Sequence, residues 1–161
     1  SHKKETFFSK NPATEERIAE FEKASVEDAR AAIDAAEVAF SKWQDVPAPK
    51  RAKVIYNAAR ILEQEKERLA LVVAKEMGKV LAESRGDVQE AIDMAYYIAG
   101  EGRRLFGHTT TSELKDKFAM TIRRPIGVVT CITPWNFPIA IPSWKLFPAI
   151  ICGNAVVFKP C

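Results

Sequence analysis

The chain has 161 residues, of which 47% are hydrophobic, and this is enough for one ordinary domain. Its 24 basic and 21 acidic residues give a net charge of +3 without a basic run interleaved with aromatic residues, which excludes the clustered basic face of a nucleic-acid-binding domain. The most apolar region, residues 126–158, is interrupted by prolines, Asn136 and Lys145, so no membrane span of about twenty residues is expected.

The N-terminal region predicts a hairpin. Ser1-His2 is interpreted as the remnant of an expression tag, and the residues that follow contain no apolar core of a secretory signal. Residues 6–9 and 17–21 have the composition of short strands and flank Asn11-Pro12-Ala13-Thr14, whose Asn-Pro pair marks a turn. An antiparallel pair of strands is therefore expected.

Three amphipathic helices are predicted next. Ser25 and Asp28 form a capping box ahead of a first helix over residues 26–42, which the Pro47-Ala48-Pro49 linker ends. A second helix is expected over residues 50–77 and a third over residues 80–106, each followed by glycine. Their many glutamates lie opposite the apolar stripes, which indicates a solvated surface rather than paired catalytic carboxylates.

Composition changes near Pro125, because residues 125–161 contain no Asp or Glu and only two Lys. Before this point, residues 118–124 alternate as a half-buried strand does. After it come an apolar strand at 126–132, a helix at 142–152 and a second apolar strand at 155–158. This order predicts a βαβ unit with parallel strands, the opening of a doubly wound nucleotide-binding domain.

Two polar residues follow the two buried strands of this unit. Asn136 comes after the first strand and Lys159 after the second. Because ligands of open α/β sheets bind outside the carboxyl ends of the strands, both residues are expected to face one crevice. The Lys159 ammonium suits phosphate or ribose oxygens of a dinucleotide, although a lysine that merely ends a strand in solvent is the alternative.

The three cysteines, Cys131, Cys152 and Cys161, are interpreted as reduced thiols of a cytoplasmic protein. Their apolar surroundings would raise the pKa of a thiol, so none is expected to be a nucleophile. Neither His2 nor His108 has a second plausible ligand nearby in sequence, and no metal site is predicted.

Two segments near the C-terminus resemble the aldehyde dehydrogenase superfamily: Thr-Pro-Trp-Asn-Phe-Pro at 133–138 and Gly-Asn-Ala-Val-Val-Phe-Lys-Pro at 153–160. The turn at 11–14 and segments 75–79 and 85–88 are similar too, so the resemblance spans nearly the whole chain. It implies an N-terminal portion of fold class α/β: residues 1–124 form the hairpin, three helices and an oligomerisation-type edge strand. Residues 125–161 then begin a truncated dinucleotide-binding domain, and the family's glycine motif lies beyond them.

The resemblance also implies roles for individual residues. Asn136 matches the asparagine whose amide stabilises the oxyanion of a thiohemiacetal. Ile132, Thr133, Pro134 and Trp135 match the lining of the cofactor channel, and Lys159 matches the lysine that reaches the adenosine ribose or a 2′-phosphate. Phe137, Ile141 and Trp144 match the wall of the aldehyde tunnel, although packing of an apolar helix face would explain them equally well.

The implied activity is oxidation of an aldehyde to a carboxylic acid with NAD or NADP, through a cysteine thiohemiacetal. A semialdehyde or small aliphatic aldehyde is the expected substrate, and the full-length protein is expected to be a homo-oligomer. The family places its nucleophile in Gly-Gln-x-Cys and its base in Glu-Leu-Gly-Gly, and neither segment occurs here. The 161 residues alone are therefore expected to be inactive. A non-catalytic dinucleotide-binding module and a helical interaction module remain as alternatives.

Overall fold

The computed structural model describes residues 5–161, and the interpretation of Ser1-His2 lies outside this range. The predicted hairpin is confirmed, because β1 (Thr6–Lys10) pairs antiparallel with β2 (Arg17–Glu22). Asn11 Oδ1 accepts the backbone N–H of Ala13 over 2.9 Å, the local bond by which asparagine favours turns. Glu15, at φ 60°, completes the reversal.

The first helix, α1 (Val26–Trp43), begins at the predicted capping box. Ser25 Oγ accepts the Asp28 N–H over 3.1 Å, and Asp28 Oδ2 accepts the Ser25 N–H over 2.9 Å. Two backbone donors that the helix leaves unsatisfied therefore find partners in side chains of the first turn.

The prediction of one second helix is wrong, because the segment forms α2 (Ala48–Gln64) and α3 (Lys66–Met77). Glu65 interrupts them at φ −93° and ψ 5°, outside helical geometry, and no glycine or proline in the sequence marks the break. Both helices pack against α4, so the bend at Glu65 allows α2 and α3 to contact the same helix. On α2, Val54 and Ile61 are exposed, and the buried residues are Arg51, Ala52, Ile55 and Ala59.

The third predicted helix exists as α4 (Leu81–Glu101), but it stops before the expected end at Phe106. Its apolar residues Val88, Ile92, Ala95 and Ile98 are buried. The helix ends at Gly102, where α2 approaches so closely that a Cβ on this residue would lie 2.3 Å from Ala52 Cβ. The glycine is thus required by packing, and the chain leaves the helix there.

The half-buried strand predicted over residues 118–124 is shorter in the structure. The structure instead pairs a short β3 (Thr109–Thr111) with β4 (Phe118–Met120), antiparallel. The expected strand is shortened because its partner has only three strand residues, and pairing fades after the Thr121 N–H bonds the His108 carbonyl over 2.7 Å.

The βαβ unit is confirmed as β5 (Val128–Ile132), α5 (Ala140–Ile151) and β6 (Ala155–Lys159). The strands are parallel, in a register running from Val128↔Ala155 to Ile132↔Lys159. β5 begins at Val128, not at 126, because the N–H groups of Ile126 and Gly127 donate to Asn154 Oδ1 over 2.8 and 3.1 Å.

The elements assemble around α4, which contacts α2, α3 and α5, while α1 packs against β5 and β6. The mixed α/β class is thereby confirmed, with four helices rather than three ahead of the βαβ unit. Within residues 5–161, no helix has both the length and the apolar character needed to cross a bilayer.

Candidate functional site

The carboxyl ends of β5 and β6 lie side by side and form one edge of the molecule. Ile132 pairs with Lys159, and the Thr133 N–H donates to the Lys159 carbonyl over 3.3 Å. Lys159 is the last residue of β6 rather than the first after it, so the predicted strand end moves by one residue. The parallel register brings the segment that follows β5 and the Lys159 side chain to the same edge.

Loop 133–139 carries Asn136 from this edge to the start of α5. Pro134 and Pro138 restrict φ within it. The Ile141 N–H bonds the Phe137 carbonyl over 3.1 Å, and the Ser143 N–H bonds the Ile139 carbonyl over 3.2 Å. The second half of the loop is thus already tied into the first turn of the helix.

Asn136 is exposed, and its carboxamide bonds to no other group within the range from residue 5 to residue 161. Its backbone carbonyl does have a partner, because Lys79 Nζ donates to it over 2.8 Å. The backbone is therefore held while both N–H bonds of the amide stay available to a ligand. A hydrogen-bond donor for a developing negative charge needs N–H groups that are free in this way.

The residues predicted to line a cofactor channel differ in exposure along the loop. Ile132 and Trp135 are open to solvent, at 72% and 68% exposure, and Pro134 and Lys159 are exposed too. Thr133 is buried, and its Oγ1 has no hydrogen-bond partner in the described chain. A buried hydroxyl without a protein partner is rare in folded proteins.

The three residues assigned to a substrate wall lie together at the start of α5. The rings of Phe137 and Trp144 stack with their centroids 6.3 Å apart. Ile141, which lies between these two residues in the sequence, is half-buried. Trp144 also borders an open cavity of about 280 Å³ whose other lining residues come from α4: Glu90, Asp93, Met94 and Tyr97. Trp144 thus belongs both to the stacked pair and to the lining of this cavity, which also contains two carboxylates.

No cysteine of the chain is bonded to another. Burial raises the pKa of the Cys131 thiol, and the nearby Lys145 charge only partly opposes this. A raised pKa disfavours the thiolate that a nucleophile requires. Cys152 and Cys161 are exposed, and no group of His, Cys, Asp or Glu among residues 5–161 could hold a metal ion.

Sequence reasoning missed three residues that hold this edge in place: Lys79, Asp87 and Asn154. Asn154 is buried, accepts the N–H groups of Ile126 and Gly127 just before β5, and donates to the Ala149 carbonyl. Asp87 did leave a signal in the sequence. It stands directly before Val88 within the apolar stripe of α4, where an isolated carboxylate requires a partner.

The chain has close relatives among known proteins. A model of the aldehyde dehydrogenase family matches residues 1–161. An alpha-ketoglutaric semialdehyde dehydrogenase from Bacillus subtilis is 41% identical over 151 residues, which are 93% of this chain and 31% of that protein. A solved NADP-dependent enzyme from E. coli superposes with a TM-score of 0.95 at 36% identity, covering 98% of this chain and 33% of that one.

A second solved structure is a point mutant of betaine aldehyde dehydrogenase from Staphylococcus aureus in complex with NAD+. It superposes with a TM-score of 0.93 at 34% identity, over 96% of this chain and 32% of that one. The chain therefore spans about a third of the length of the relatives that it matches.

Proposed function

The chain belongs to the aldehyde dehydrogenase family, and we propose that it supplies the N-terminal third of an enzyme that oxidises an aldehyde to a carboxylic acid with NAD+ or NADP+. The nucleophilic cysteine and the base that activates water come, in this proposal, from sequence outside the chain. The chain's own contribution is an oxyanion donor, one wall of the cofactor site and one wall of the substrate site.

One observation carries this proposal: the free carboxamide of Asn136 at the carboxyl edge of a parallel strand pair that ends at Lys159. When a thiolate attacks an aldehyde carbon, negative charge develops on the former carbonyl oxygen. An amide N–H held near that oxygen stabilises the charge, and it does so at any ordinary pH because a carboxamide does not ionise in that range. The role of Asn136 is to donate this hydrogen bond.

The same edge fits a dinucleotide. Thr133 Oγ1 is a buried polar atom without a partner, and Lys159 presents an ammonium group at the end of the neighbouring strand. In the proposed site Lys159 bonds the adenosine ribose or a 2′-phosphate, and Ile132, Thr133, Pro134 and Trp135 line the channel. When bound, the nicotinamide accepts the hydride. The related structures, one called NADP-dependent and one solved with NAD+, support both cofactors as candidates.

The substrate is proposed to pass along Phe137, which follows Asn136 in the loop, and along Ile141 and Trp144 in the first turns of α5. Relatives named for alpha-ketoglutaric, malonate and succinate semialdehydes support a semialdehyde as the substrate. An apolar, aromatic wall of this kind orients an aliphatic chain and leaves polar recognition to a few groups elsewhere.

We extend the proposal to organisation and location. The division at residues 124/125 is supported by the loss of acidic residues after it. A homo-oligomer is supported by the apolar side chains of β4, where Phe118 is 74% and Met120 58% exposed. A cytoplasmic location is supported by cysteines that all remain free thiols.

An assay of the full-length protein tests the proposal. The protein is incubated with NAD+ or NADP+ and a set of semialdehydes and aliphatic aldehydes, and reduced cofactor and carboxylic acid are measured together. Equal amounts of both products are expected, and the 161-residue chain alone should form neither. Formation of reduced cofactor without acid, or no turnover with any aldehyde, would contradict the proposed reaction. The lack of a Gly-Gln-x-Cys segment in the encoded sequence after Cys161 would contradict it too.

A further inference from the structure

Two side chains from the helical segment hold the backbone of the Asn136 loop at two points. Lys79 Nζ donates to the Asn136 carbonyl over 2.8 Å. Asp87 Oδ1 accepts the Ala140 N–H over 2.8 Å. Lys79 lies in the connection between α3 and α4, and Asp87 lies in α4, so both anchors come from one helical hairpin that is remote in sequence from the loop.

The Lys79 contact is built by the end of α3. Gly78 takes a left-handed conformation at φ 81°, and a Cβ on it would lie 2.7 Å from Pro12 Cγ of the β1–β2 turn. The sharp turn at this glycine ends the helix and leads into the connection that carries Lys79. The Lys79 ammonium also lies 4.3 Å above the centroid of the Phe137 ring. One cation therefore contacts two consecutive loop residues, through a carbonyl and through an aromatic face.

The Asp87 contact supplies what α5 lacks. The residue before the helix is Ile139, whose side chain cannot cap, and the N–H groups of Ile141 and Ser143 already bond loop carbonyls, so the Ala140 N–H is the one in the first turn that needs an acceptor from elsewhere. Asp87 is 1% exposed and accepts from Ala140, the first residue of the helix. A buried carboxylate at this end is favoured by the partial positive charge of the helix N-terminus. Its second oxygen, Oδ2, has no partner among residues 5–161.

Both bonds go to backbone atoms, and neither uses the Asn136 carboxamide. The two anchored positions, Asn136 and Ala140, lie on either side of Pro138, which is rigid in φ. Fixing the backbone on both sides of a stiff residue limits the directions in which the neighbouring amide can point. A donor held in this way needs no rearrangement when charge develops beside it.

We propose that Lys79 and Asp87 are positioning residues that act through Asn136: together they hold loop 133–139 so that the carboxamide is preorganised for the oxyanion. This inference rests on the proposed function of Asn136. The helical segment then contributes to the reaction indirectly: Lys79 and Asp87 hold the loop backbone and do not contact the substrate. A displacement of about 1 Å at a reacting group can cost about a hundredfold in rate, so small shifts of the loop matter.

Kinetics of the full-length protein test the proposal. Lys79→Met keeps the aliphatic stem and removes the charge and the donors, and kcat is expected to fall by about 10- to 100-fold while the KM for the cofactor stays constant. Lys79→Arg restores a cation and a donor and should recover part of the loss. Lys75→Met, an exposed lysine one turn earlier in α3, is the matched control and should leave kcat unchanged.

A double-mutant cycle separates positioning from a general structural effect. If Lys79 acts through Asn136, then adding Lys79→Met to Asn136→Ala causes little further loss of kcat. An equal fold-loss in both backgrounds would overturn the proposal. Asp87→Asn keeps an oxygen that can accept from Ala140 but removes the charge, so its loss of kcat should be smaller than that of Lys79→Met. This loss should also be non-additive with Asn136→Ala. Asp34→Asn, on the exposed face of α1, is the control and should leave kcat unchanged.

Amide hydrogen exchange gives a readout that does not depend on turnover. In the full-length protein, exchange across residues 133–141 should accelerate in Lys79→Met and Asp87→Asn and stay unchanged in both control variants. If Asn136→Ala alone leaves kcat intact, the proposed function fails. The exchange rates would still show whether Lys79 and Asp87 hold the loop. Unchanged exchange in both variants would contradict the positioning proposal by itself.

Discussion

The buried Arg51 donates through Nε to the carbonyl of Ile151 over 2.9 Å, linking the first turn of α2 to the last turn of α5. Its Nη1 also donates to the carbonyls of Gln44 and Val46, which follow α1. Gly153 packs against the guanidinium, since a Cβ there would lie 3.3 Å from Arg51 Cζ. Burial lowers the pKa of this guanidinium, which nevertheless remains a cation, as arginine does in proteins. One side chain thus joins the helical segment to the βαβ unit.

Arg51→Met should destabilise the protein, because carbonyls at the ends of two helical segments lose their donor. We expect the free energy of unfolding to fall by about 2 to 4 kcal/mol, measured by urea unfolding of the full-length protein. Arg60→Met, at an exposed position of the same helix, should change it by about 0.5 kcal/mol or less. Equal effects of the two substitutions would show that the buried network contributes nothing.

Two glycines at the end of α4 should respond to alanine with opposite signs. At Gly102 an added Cβ meets Ala52 Cβ at 2.3 Å and the Ala48 carbonyl at 3.0 Å, so Gly102→Ala forces α2 and α4 apart and should cost about 1 to 3 kcal/mol. At Gly100 nothing lies within 4 Å, so Gly100→Ala should stabilise the helix by about 0.5 to 1 kcal/mol. Thermal unfolding of both variants measures this, and a shared sign would refute the described crossing of the helices.

The three thiols should differ in reactivity. Cys131 is buried within β5, and desolvation raises its pKa, so both access and thiolate formation are reduced. Alkylation at neutral pH, followed by mass spectrometry, should therefore modify Cys131 more slowly than Cys152 and Cys161. Because its folded pKa is raised, any stability that depends on the neutral Cys131 thiol is present at neutral pH and is lost as the pH rises through that raised pKa. Rapid labelling of Cys131 in the folded protein would contradict its burial.

Lys159→Met should weaken cofactor binding without a matching loss of kcat. Loss of a charged donor to ribose or phosphate oxygens costs about 1.5 to 3 kcal/mol, which corresponds to a rise of about 10- to 100-fold in the cofactor Kd. Titration of the full-length protein with NAD+ and NADP+ measures the change for each cofactor. Lys50→Met, exposed in the first turn of α2, is the control, and identical Kd values for the two variants would remove Lys159 from the site.

Local patterns in the sequence were sufficient for some of these features and not for others. The Ser25–Asp28 capping box and the parallel βαβ unit were predictable, because each depends on short-range bonds or on a continuous apolar run. The bend at Glu65 was not, since it arises from the way in which α2 and α3 both pack on α4. The anchors Lys79 and Asp87 were missed for a related reason: their partners are backbone groups 57 and 53 residues away.

The placement of Asn136 at the candidate site followed from its position after a buried strand, and the structure does bring its loop and Lys159 to one edge. The catalytic role of its amide stays a prediction. It was suggested by the surrounding Pro-Trp-Asn-Phe-Pro segment, because no periodicity or composition can show that a side-chain amide donates to a transition state.

The turnover number of Asn136→Ala in the full-length protein tests the central claim most directly. Removing one oxyanion donor should lower kcat by about 10²- to 10³-fold. Asn57→Ala, at an exposed asparagine of α2, should leave kcat unchanged, which controls for loss of an amide as such. A folded Asn136→Ala enzyme that oxidises aldehydes as fast as the Asn57→Ala enzyme would contradict the account of this loop as an oxyanion donor.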